Sequence, residues 1–347
     1  MKSDLDKLSR AELTWSFGNG RDNQPLLSLQ DLTVEYSVRQ GALRAVDRTS
    51  LDVYPGEMMA IVGESGCGKS TLAYSIIRHV PYPGEIKGGA IFFYGQNVLD
   101  MDRRGLREFR WEQVAFVFQA AQNAMNPVMR IADQMVDTVR AHEDMPKDEI
   151  LERASKLLEM MRLEPSQVLR AYPHELSGGM RQRVIIAISL ILNPTMLILD
   201  EPTTALDVVT QAYILDILTN VRRDLGLTMM LLTHDMSIVA KIADRVGVMY
   251  AGQIVEVGKI EEIYYDAKHP YTVGLINAAP SLIGDIAGKK PIPGSPPNLL
   301  HLPPGCRFRP RCPHATLHCE EARPELGDIG DRRLVACHNW QSISGEA

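Results

Sequence analysis

A nine-residue glycine-rich segment constrains this chain more than any other feature. Residues 63–71 read GESGCGKST and match G-x-x-x-x-G-K-[S/T] between a predicted buried strand and a predicted helix. The glycines let backbone N–H groups turn toward an anion, and the helix N-terminus adds its positive end. In this pattern Lys69 neutralises β- and γ-phosphates, and the Ser70 hydroxyl ligates Mg²⁺. The segment predicts a nucleoside triphosphate site made by Gly63, Ser65, Gly66, Cys67, Gly68, Lys69, Ser70 and Thr71.

Two carboxylates follow a second short apolar segment. Residues 196–199 have the length of a buried strand, and Asp200 and Glu201 come directly after them. Ligands of wound α/β sheets bind at the rim where such strands end. Adjacent strand residues face opposite ways. We therefore expect Asp200 to reach the Mg²⁺ shell and Glu201 to point toward the attacking water, as general base or water-orienting group.

Apolar segments with strand character recur along the chain, with helical stretches between them. Strands are predicted near 27–38, 58–62, 90–93, 114–118, 196–199 and 229–232. The pattern predicts an α/β fold with a P-loop core, an N-terminal antiparallel β region and an inserted helical subdomain. We divide the chain into a leader at 1–25, a nucleotide-binding domain at 26–265 with its helical subdomain at about 120–190, and a small irregular Cys-rich region at 266–347.

The composition excludes several classes of protein. There are 37 Lys and Arg against 43 Asp and Glu, a net charge of −6, which argues against a general phosphate-backbone binder. A hydrophobic content of 45% and a charged content of 23% are ordinary globular values. The longest apolar segments, such as 184–192, fall short of the roughly 18 to 20 residues that cross a bilayer. We expect a cytosolic chain with no signal peptide and no membrane span.

A third motif lies about 24 residues before Asp200. Residues 176–183 read LSGGMRQR and resemble the signature of the ATP-binding subunits of ABC transporters. Ser177 and the amides of Gly178 and Gly179 would cap a helix and present donors to an anion. The resemblance covers most of the chain. It implies that these donors meet the γ-phosphate bound to an opposite subunit, in a head-to-tail dimer that holds two nucleotides at its interface.

The remaining elements of this family's pattern appear in order. The resemblance implies that Tyr36 stacks on adenine, that Gln119 ligates Mg²⁺ or senses the γ-phosphate, and that Asp207 lies in a loop crossing the dimer interface. It also implies that His234 holds the γ-phosphate and the catalytic Glu201. No expected catalytic position is substituted, so a competent ATPase using ATP and Mg²⁺ is implied. Its implied metal ligands are Ser70, Gln119 and Asp200.

Several local phrases are similar to the oligopeptide and dipeptide importer branch, in subunits of the D type. They are residues 118–128, 243–252, 269–272 and 305–313. The resemblance implies a second, distinct ATPase subunit, two membrane-spanning permease subunits and an external substrate-binding protein, at the cytoplasmic face of the membrane and without nucleic acid.

One departure concerns the substrate. Ala120 and Ala121 replace the Asp-Pro usual after Gln119, where the family receives the permeases. Import of oligosaccharides or nickel by the same machinery therefore stays an alternative, and a soluble ABC ATPase outside transport is a second one.

Four of the five cysteines crowd into the final 42 residues. Their spacing is C-x5-C-x6-C-x17-C, and in a reducing compartment such a group suggests a metal rather than disulfides. The spacing matches neither a zinc ribbon nor a ferredoxin motif. Wide loops favour a [4Fe–4S] cluster ahead of zinc, with metal-free thiols as a third possibility. The expected ligands are Cys306, Cys312, Cys319 and Cys337, with Arg307, Arg309 and Arg311 offsetting the charge.

Overall fold

The structure, a computed structural model, describes residues 24–204, 206–278 and 292–343. Most of the predicted leader and position 205 lie outside the described residues. The strands are β1 Leu27–Val38, β2 Gly41–Val53, β3 Met58–Val62, β4 Gly84–Phe93, β5 Gln96–Asn97, β6 Val114–Val117, β7 Met196–Asp200, β8 Thr228–Thr233, β9 Arg245–Tyr250, β10 Gln253–Lys259, β11 Gly327–Gly330 and β12 Arg333–Val335. The helices are α1 Lys69–Ile76, α2 Arg103–Glu108, α3 Ile131–Arg140, α4 Lys147–Met160, α5 Pro165–Val168, α6 Gly178–Leu190, α7 Val208–Leu225, α8 Met236–Ile242, α9 Ile260–Asp266, α10 Pro270–Ala278 and α11 His318–Glu321.

The main sheet has eight strands in the order β11-β12-β10-β9-β3-β8-β7-β6. The five from β9 to β6 run parallel, so their carboxyl ends share one rim. Every residue of these five strands is buried, because other elements cover both faces of the sheet. This explains why the sequence shows continuous apolar segments there rather than alternation. Strand β9, which sequence analysis did not single out as a strand, is central and pairs with β3.

A second sheet has four antiparallel strands in the order β2-β1-β4-β5. It contains the apolar segment at 90–93, which lies in β4 and not in the wound sheet. The buried residues of β1 are two apart except between Leu29 and Leu32. An irregularity in the pairing with β2 and β4 occurs there, and Asp31 has a φ of 47°. The extra residue restores the apolar face after the bulge.

The helical subdomain predicted at about 120–190 contains α3 to α6 and no strand among its described residues. Helices α3 and α4 bury one apolar face each, including Met135 and Val139 on the first and Ala154 and Leu158 on the second. The inserted helical character is therefore confirmed.

The C-terminal region is less irregular than the sequence suggests. Strand β12 pairs with β10, and β11 pairs with β12, so this region extends the main sheet across the division that we predict at residue 265. In the described part of the chain, no helix is both long and apolar enough to cross a membrane.

Candidate active site

The glycine-rich segment at 63–71, which we call the phosphate loop, follows β3 and leads into α1 at the rim where the parallel strands end. Its backbone lies so close to its neighbours that two glycines cannot be replaced. A Cβ on Gly63 would lie 2.1 Å from the Met249 carbonyl oxygen, and one on Gly68 would lie 2.3 Å from that of Ala45. Gly68 also has a φ of 112°, which favours glycine. The loop thus has the tight shape that an anion-binding turn before a helix requires.

Lys69 turns back over this loop. Its side chain is buried, and its ammonium donates to the carbonyl oxygens of Gly63 at 2.8 Å and Glu64 at 3.1 Å. The Cys67 sulfur lies 3.7 Å from the same nitrogen. Burial raises the pKa of Cys67, which keeps it a neutral thiol near pH 7 despite the lysine. This agrees with an incidental thiol rather than a nucleophile.

Asp200 lies at the end of β7 and is completely buried. Neither carboxylate oxygen has a hydrogen-bond partner among the described residues. Burial raises its pKa, and the nearby Ser70 hydroxyl and Lys69 ammonium oppose that rise. An unpaired buried carboxylate is costly unless a cation or donor reaches it. A carboxylate beside a hydroxyl is an oxygen donor set that suits Mg²⁺, so Asp200 and Ser70 fit the ion that accompanies ATP.

Glu201 is held by three side chains. The Gln119 amide donates to its Oε2 at 3.0 Å, the Thr204 hydroxyl donates to the same oxygen at 3.0 Å, and His234 Nδ1 lies 3.1 Å from Oε1. Thr204 is not among the residues predicted from the sequence, although its hydroxyl, three residues after the carboxylate, was a readable signal. The structure brings Gln119, His234 and Glu201 together, and the contacts of Gln119 with Mg²⁺ and of His234 with the γ-phosphate stay predictions.

The direction of Glu201 has a different origin from the one that the sequence suggests. We expected strand alternation to separate it from Asp200, but β7 ends at Asp200 and Glu201 has a φ of 47°. A left-handed backbone outside the strand therefore aims this side chain. Burial raises the pKa of Glu201, but hydrogen bonds from His234 and Thr204 outweigh it and leave the pKa lowered. The carboxylate stays ionised and can accept a hydrogen bond from water.

The predicted aromatic residue lies beside the start of α1. The Tyr36 hydroxyl is 3.4 Å from the Thr71 hydroxyl, and a Cβ on Gly84 would lie 2.6 Å from the Tyr36 ring. The ring thus packs over the glycine that begins β4. Ser65 and Gly66 are exposed at the outer side of the phosphate loop.

The signature and the loop before α7 both begin helices. Ser177 caps α6 and accepts from the Met180 amide, with Gly178 and Gly179 in the first turn. Asp207 caps α7 and accepts from the amide and the hydroxyl of Thr210. The two helix ends meet, since a Cβ on Gly179 would lie 2.7 Å from the Thr210 side chain. Contact of these residues with a nucleotide stays a prediction.

Comparison with known proteins identifies the family to which this arrangement belongs. A family model described as ABC transporter matches residues 46–204, and one described as oligopeptide/dipeptide transporter, C-terminal region, matches residues 255–319. The chain is 43% identical over 317 residues to the dipeptide transport ATP-binding protein DppD of Caldanaerobacter subterraneus, which covers 91% of this chain and 97% of that protein. The chain belongs to the ATP-binding subunits of ABC transporters.

Two further matches agree with this. The oligopeptide transport ATP-binding protein OppD of Salmonella typhimurium is 42% identical over 313 residues, covering 90% of this chain and 93% of that protein. The dimeric structure of a bacterial ABC transporter cassette superposes with a TM-score of 0.60 at 27% identity, over 67% of this chain and 98% of that one. The predicted family and fold are confirmed. As an ABC transporter subunit the chain is an ATPase that uses ATP with Mg²⁺.

The four C-terminal cysteines are free thiols that lie within electrostatic range of one another. Burial raises the pKa of Cys306, and it raises the pKa of Cys312 and Cys337 to about 11. Within the described part of the chain, no three His, Cys, Asp or Glu side chains could hold one metal ion. The arrangement of these residues therefore gives no support to the predicted four-cysteine metal site, whether zinc or a [4Fe–4S] cluster.

The three arginines among these cysteines have carboxylate partners, which the sequence did not predict. Arg307 pairs with Asp47, Arg311 pairs with Glu64, and Arg309 pairs with Glu320. Their guanidinium groups are engaged by carboxylates, which bind them more strongly than neutral thiols do. Arg309 nevertheless opposes the rise in the pKa of Cys306 electrostatically, so an offset of cysteine charge by this arginine stays a prediction.

Proposed function

We propose that this chain is the ATP-hydrolysing subunit of an importer for oligopeptides or dipeptides. Two observations together carry the proposal. Three side chains hold the Glu201 carboxylate, and the C-terminal region matches that of oligopeptide/dipeptide transporters. The names of the relatives point to the same substrates. Two membrane-spanning permeases and an external substrate-binding protein complete the proposed machinery, with this chain docked peripherally on the cytoplasmic side.

The proposed working form is a head-to-tail dimer with two nucleotides at its interface. Exposed apolar residues support it, because Val208 and Val209 at the start of α7 are each 79% exposed beside Asp207. Such residues favour burial against a partner. The capped end of α6 at Ser177 would then face a phosphate on the other subunit, as the signature implies.

The proposed partner in that dimer is a similar but distinct ATPase subunit. Gel filtration of the purified chain with MgATP should give mainly monomer, and addition of the second ATPase should give the active dimer. A stable homodimer that hydrolyses ATP would reject the heterodimer.

The cysteine region is proposed to hold a [4Fe–4S] cluster. The crowding of four cysteines in the final 42 residues and the mutual electrostatic range of their thiols support it, since sets of four cysteine thiolates hold such clusters. Such a group would supply a structural cross-link, since the ATPase chemistry needs only Mg²⁺. Anaerobically purified chain should be brown, with iron, sulfide and broad visible absorbance that bleaches on reduction. Colourless protein without iron would reject the cluster.

Reconstitution tests the transported solute. The chain, the second ATPase and both permeases are assembled in liposomes, with the external binding protein added on the opposite side. Di- or oligopeptides should raise ATP hydrolysis and accumulate inside, and the Glu201→Gln complex serves as the matched inactive control. Stimulation by oligosaccharides or nickel instead would replace the peptide assignment. Failure to co-purify with any membrane subunit would favour a soluble ABC ATPase.

A further inference from the structure

The cysteine region contacts the phosphate loop directly. Arg311, which precedes Cys312, forms a bidentate ion pair with Glu64, the second residue of the loop. Its two terminal nitrogens donate to the two carboxylate oxygens at 2.7 and 2.9 Å. These residues are 247 positions apart in the chain. Two parallel N–H···O bonds fix direction as well as distance, so this contact orients the Glu64 side chain.

The guanidinium of Arg311 is itself firmly held. The side chain is 6% exposed, and its Nε donates to the Pro293 carbonyl oxygen at 2.8 Å. It lies over the rings of Tyr250 and Phe308, with centroid distances of 5.8 and 5.9 Å. An arginine restrained on both its polar edge and its planar face keeps little rotamer freedom. It can therefore act as a fixed support and not as a mobile surface charge.

Glu64 is also gripped through its backbone. Its amide donates to the Tyr271 hydroxyl at 2.9 Å, and the Tyr271 ring packs on Tyr250 and Phe308. The aromatic group that supports Arg311 thus also supports the second contact to Glu64. The carbonyl oxygen of the same residue accepts from the Lys69 ammonium. Glu64 consequently links the C-terminal region to the lysine that meets the β- and γ-phosphates.

A second arginine of the same segment, Arg307, is linked to the phosphate loop through residues 251 and 252. Arg307 donates to the Ala251 carbonyl oxygen at 2.5 Å and pairs with the buried Asp47. The next residue, Gly252, donates its amide to the Cys67 carbonyl oxygen at 2.8 Å and accepts from the Asp47 amide. The segment between Cys306 and Cys312 therefore contacts the loop directly at Glu64 and indirectly, through residues 251–252, at Cys67. Arg309, between the two arginines, pairs with Glu320 instead.

We propose that Arg311 is a positioning residue of the ATPase site, which holds Glu64 and thereby the phosphate loop in the shape that binds the triphosphate. In this role Arg311 acts on the loop through Glu64 and needs no contact of its own with nucleotide or metal. The role concerns ATP binding by this chain and is independent of which solute is imported. A failed peptide-transport assay would thus leave it standing.

The test is a double-mutant cycle on MgATP affinity, measured by equilibrium binding to the full chain. Arg311→Gln, Glu64→Gln and the double variant should each raise Kd about tenfold, because each breaks the same ion pair. The matched control is Arg309→Gln, which removes the same charge from the same segment and should leave Kd within about twofold. Thermal melting and circular dichroism show that each variant keeps its fold.

Three outcomes would overturn the proposal. They are an Arg311→Gln Kd within about twofold of the parent, a double variant whose loss is the product of the single losses, and an Arg309→Gln loss equal to that of Arg311→Gln. If Arg311→Gln does not fold, Arg311→Lys decides, since it keeps the charge and one donor but not the bidentate geometry. That variant should raise Kd about threefold, and an unchanged Kd would reject the role.

Discussion

Buried charged groups differ between the nucleotide site and the junction, by which we mean the contact of Asp47 with Arg307 and Arg323 of the C-terminal region. In the nucleotide site, Asp200 is buried without a hydrogen-bond partner among the described residues, and Lys69 donates only to backbone carbonyls and a thiol. At the junction, the buried Asp47 pairs with Arg307 and Arg323. Unpaired charges leave binding capacity for a charged ligand, whereas paired ones consume it within the protein. The nucleotide site can therefore bind a charged ligand, whereas the junction attaches the C-terminal region to the rest of the protein.

The pKa values of the two carboxylates express the same contrast. Burial raises the pKa of Asp200, and nearby groups do not reverse the rise. Burial also acts to raise the pKa of Asp47, but the charges of Arg307 and Arg323 outweigh it and leave the pKa lowered. Both carboxylates are almost completely removed from solvent, yet their pKa values shift in opposite directions, because only Asp47 has arginines in contact.

The largest effect is expected at the catalytic carboxylate. Glu201→Gln should lower the rate of ATP hydrolysis by about 10²- to 10⁴-fold, because the amide cannot accept a proton from water. Affinity for MgATP should persist, and the variant should accumulate as a closed dimer when the proposed second ATPase subunit is added. Single-turnover hydrolysis and nucleotide binding measure the two parts. Hydrolysis at the parental rate would contradict the role of Glu201.

A loss of similar size, in stability and not in rate, is expected at the junction. Asp47→Asn should destabilise the chain by about 3 kcal/mol, because it leaves the nearly buried Arg307 and the half-buried Arg323 without this counter-charge. The measurement is the shift of the thermal unfolding midpoint. Asp52→Asn, on the same strand β2, is the matched control. Equal shifts for the two variants would show that the pairing contributes nothing specific.

A smaller effect is expected from the hydroxyl that sequence analysis missed. Thr204→Val removes one hydrogen bond to Glu201 and should lower kcat about tenfold with little change in KM for ATP. Thr219→Val, whose hydroxyl bonds within α7, is the control and should leave both constants unchanged. If Thr204→Val raised KM and spared kcat, its hydroxyl would serve binding and not the position of Glu201.

The smallest effect is a dependence of stability on acid. Because the folded pKa of Asp47 is lowered, its contribution is present above the ordinary aspartate pKa of about 3.9 and is lost as pH falls through the folded value. The difference in urea stability between the parent and Asp47→Asn should therefore begin to narrow below about pH 4 and go on narrowing until pH has fallen below the folded pKa of Asp47. A gap that persisted unchanged at lower pH would show that shape, and not charge, explains the variant.

The local parts of the site could be read from the chain because each is a short contiguous pattern. The phosphate loop, the carboxylates after β7 and the helix cap at Ser177 all require residues a few positions apart. Parallel strands bring their ends to one rim, so the convergence of Gln119, Glu201 and His234 also followed from the pattern of strands. The direction of Glu201 did not, because it depends on one left-handed backbone residue.

The sequence by itself determined the family, the nucleotide chemistry and the wound α/β core, since motif spacing and apolar periodicity are local properties. Only the tertiary structure decided what the C-terminal arginines do. Arg311 meets Glu64 across 247 residues, and Arg307 meets Asp47 across 260. Such pairs follow no spacing rule that a single sequence could reveal, because the entropic cost of closing a loop rises only slowly with its length. The physical reason is that charges buried at the same place in the fold must pair to offset the cost of desolvation, wherever they lie along the chain.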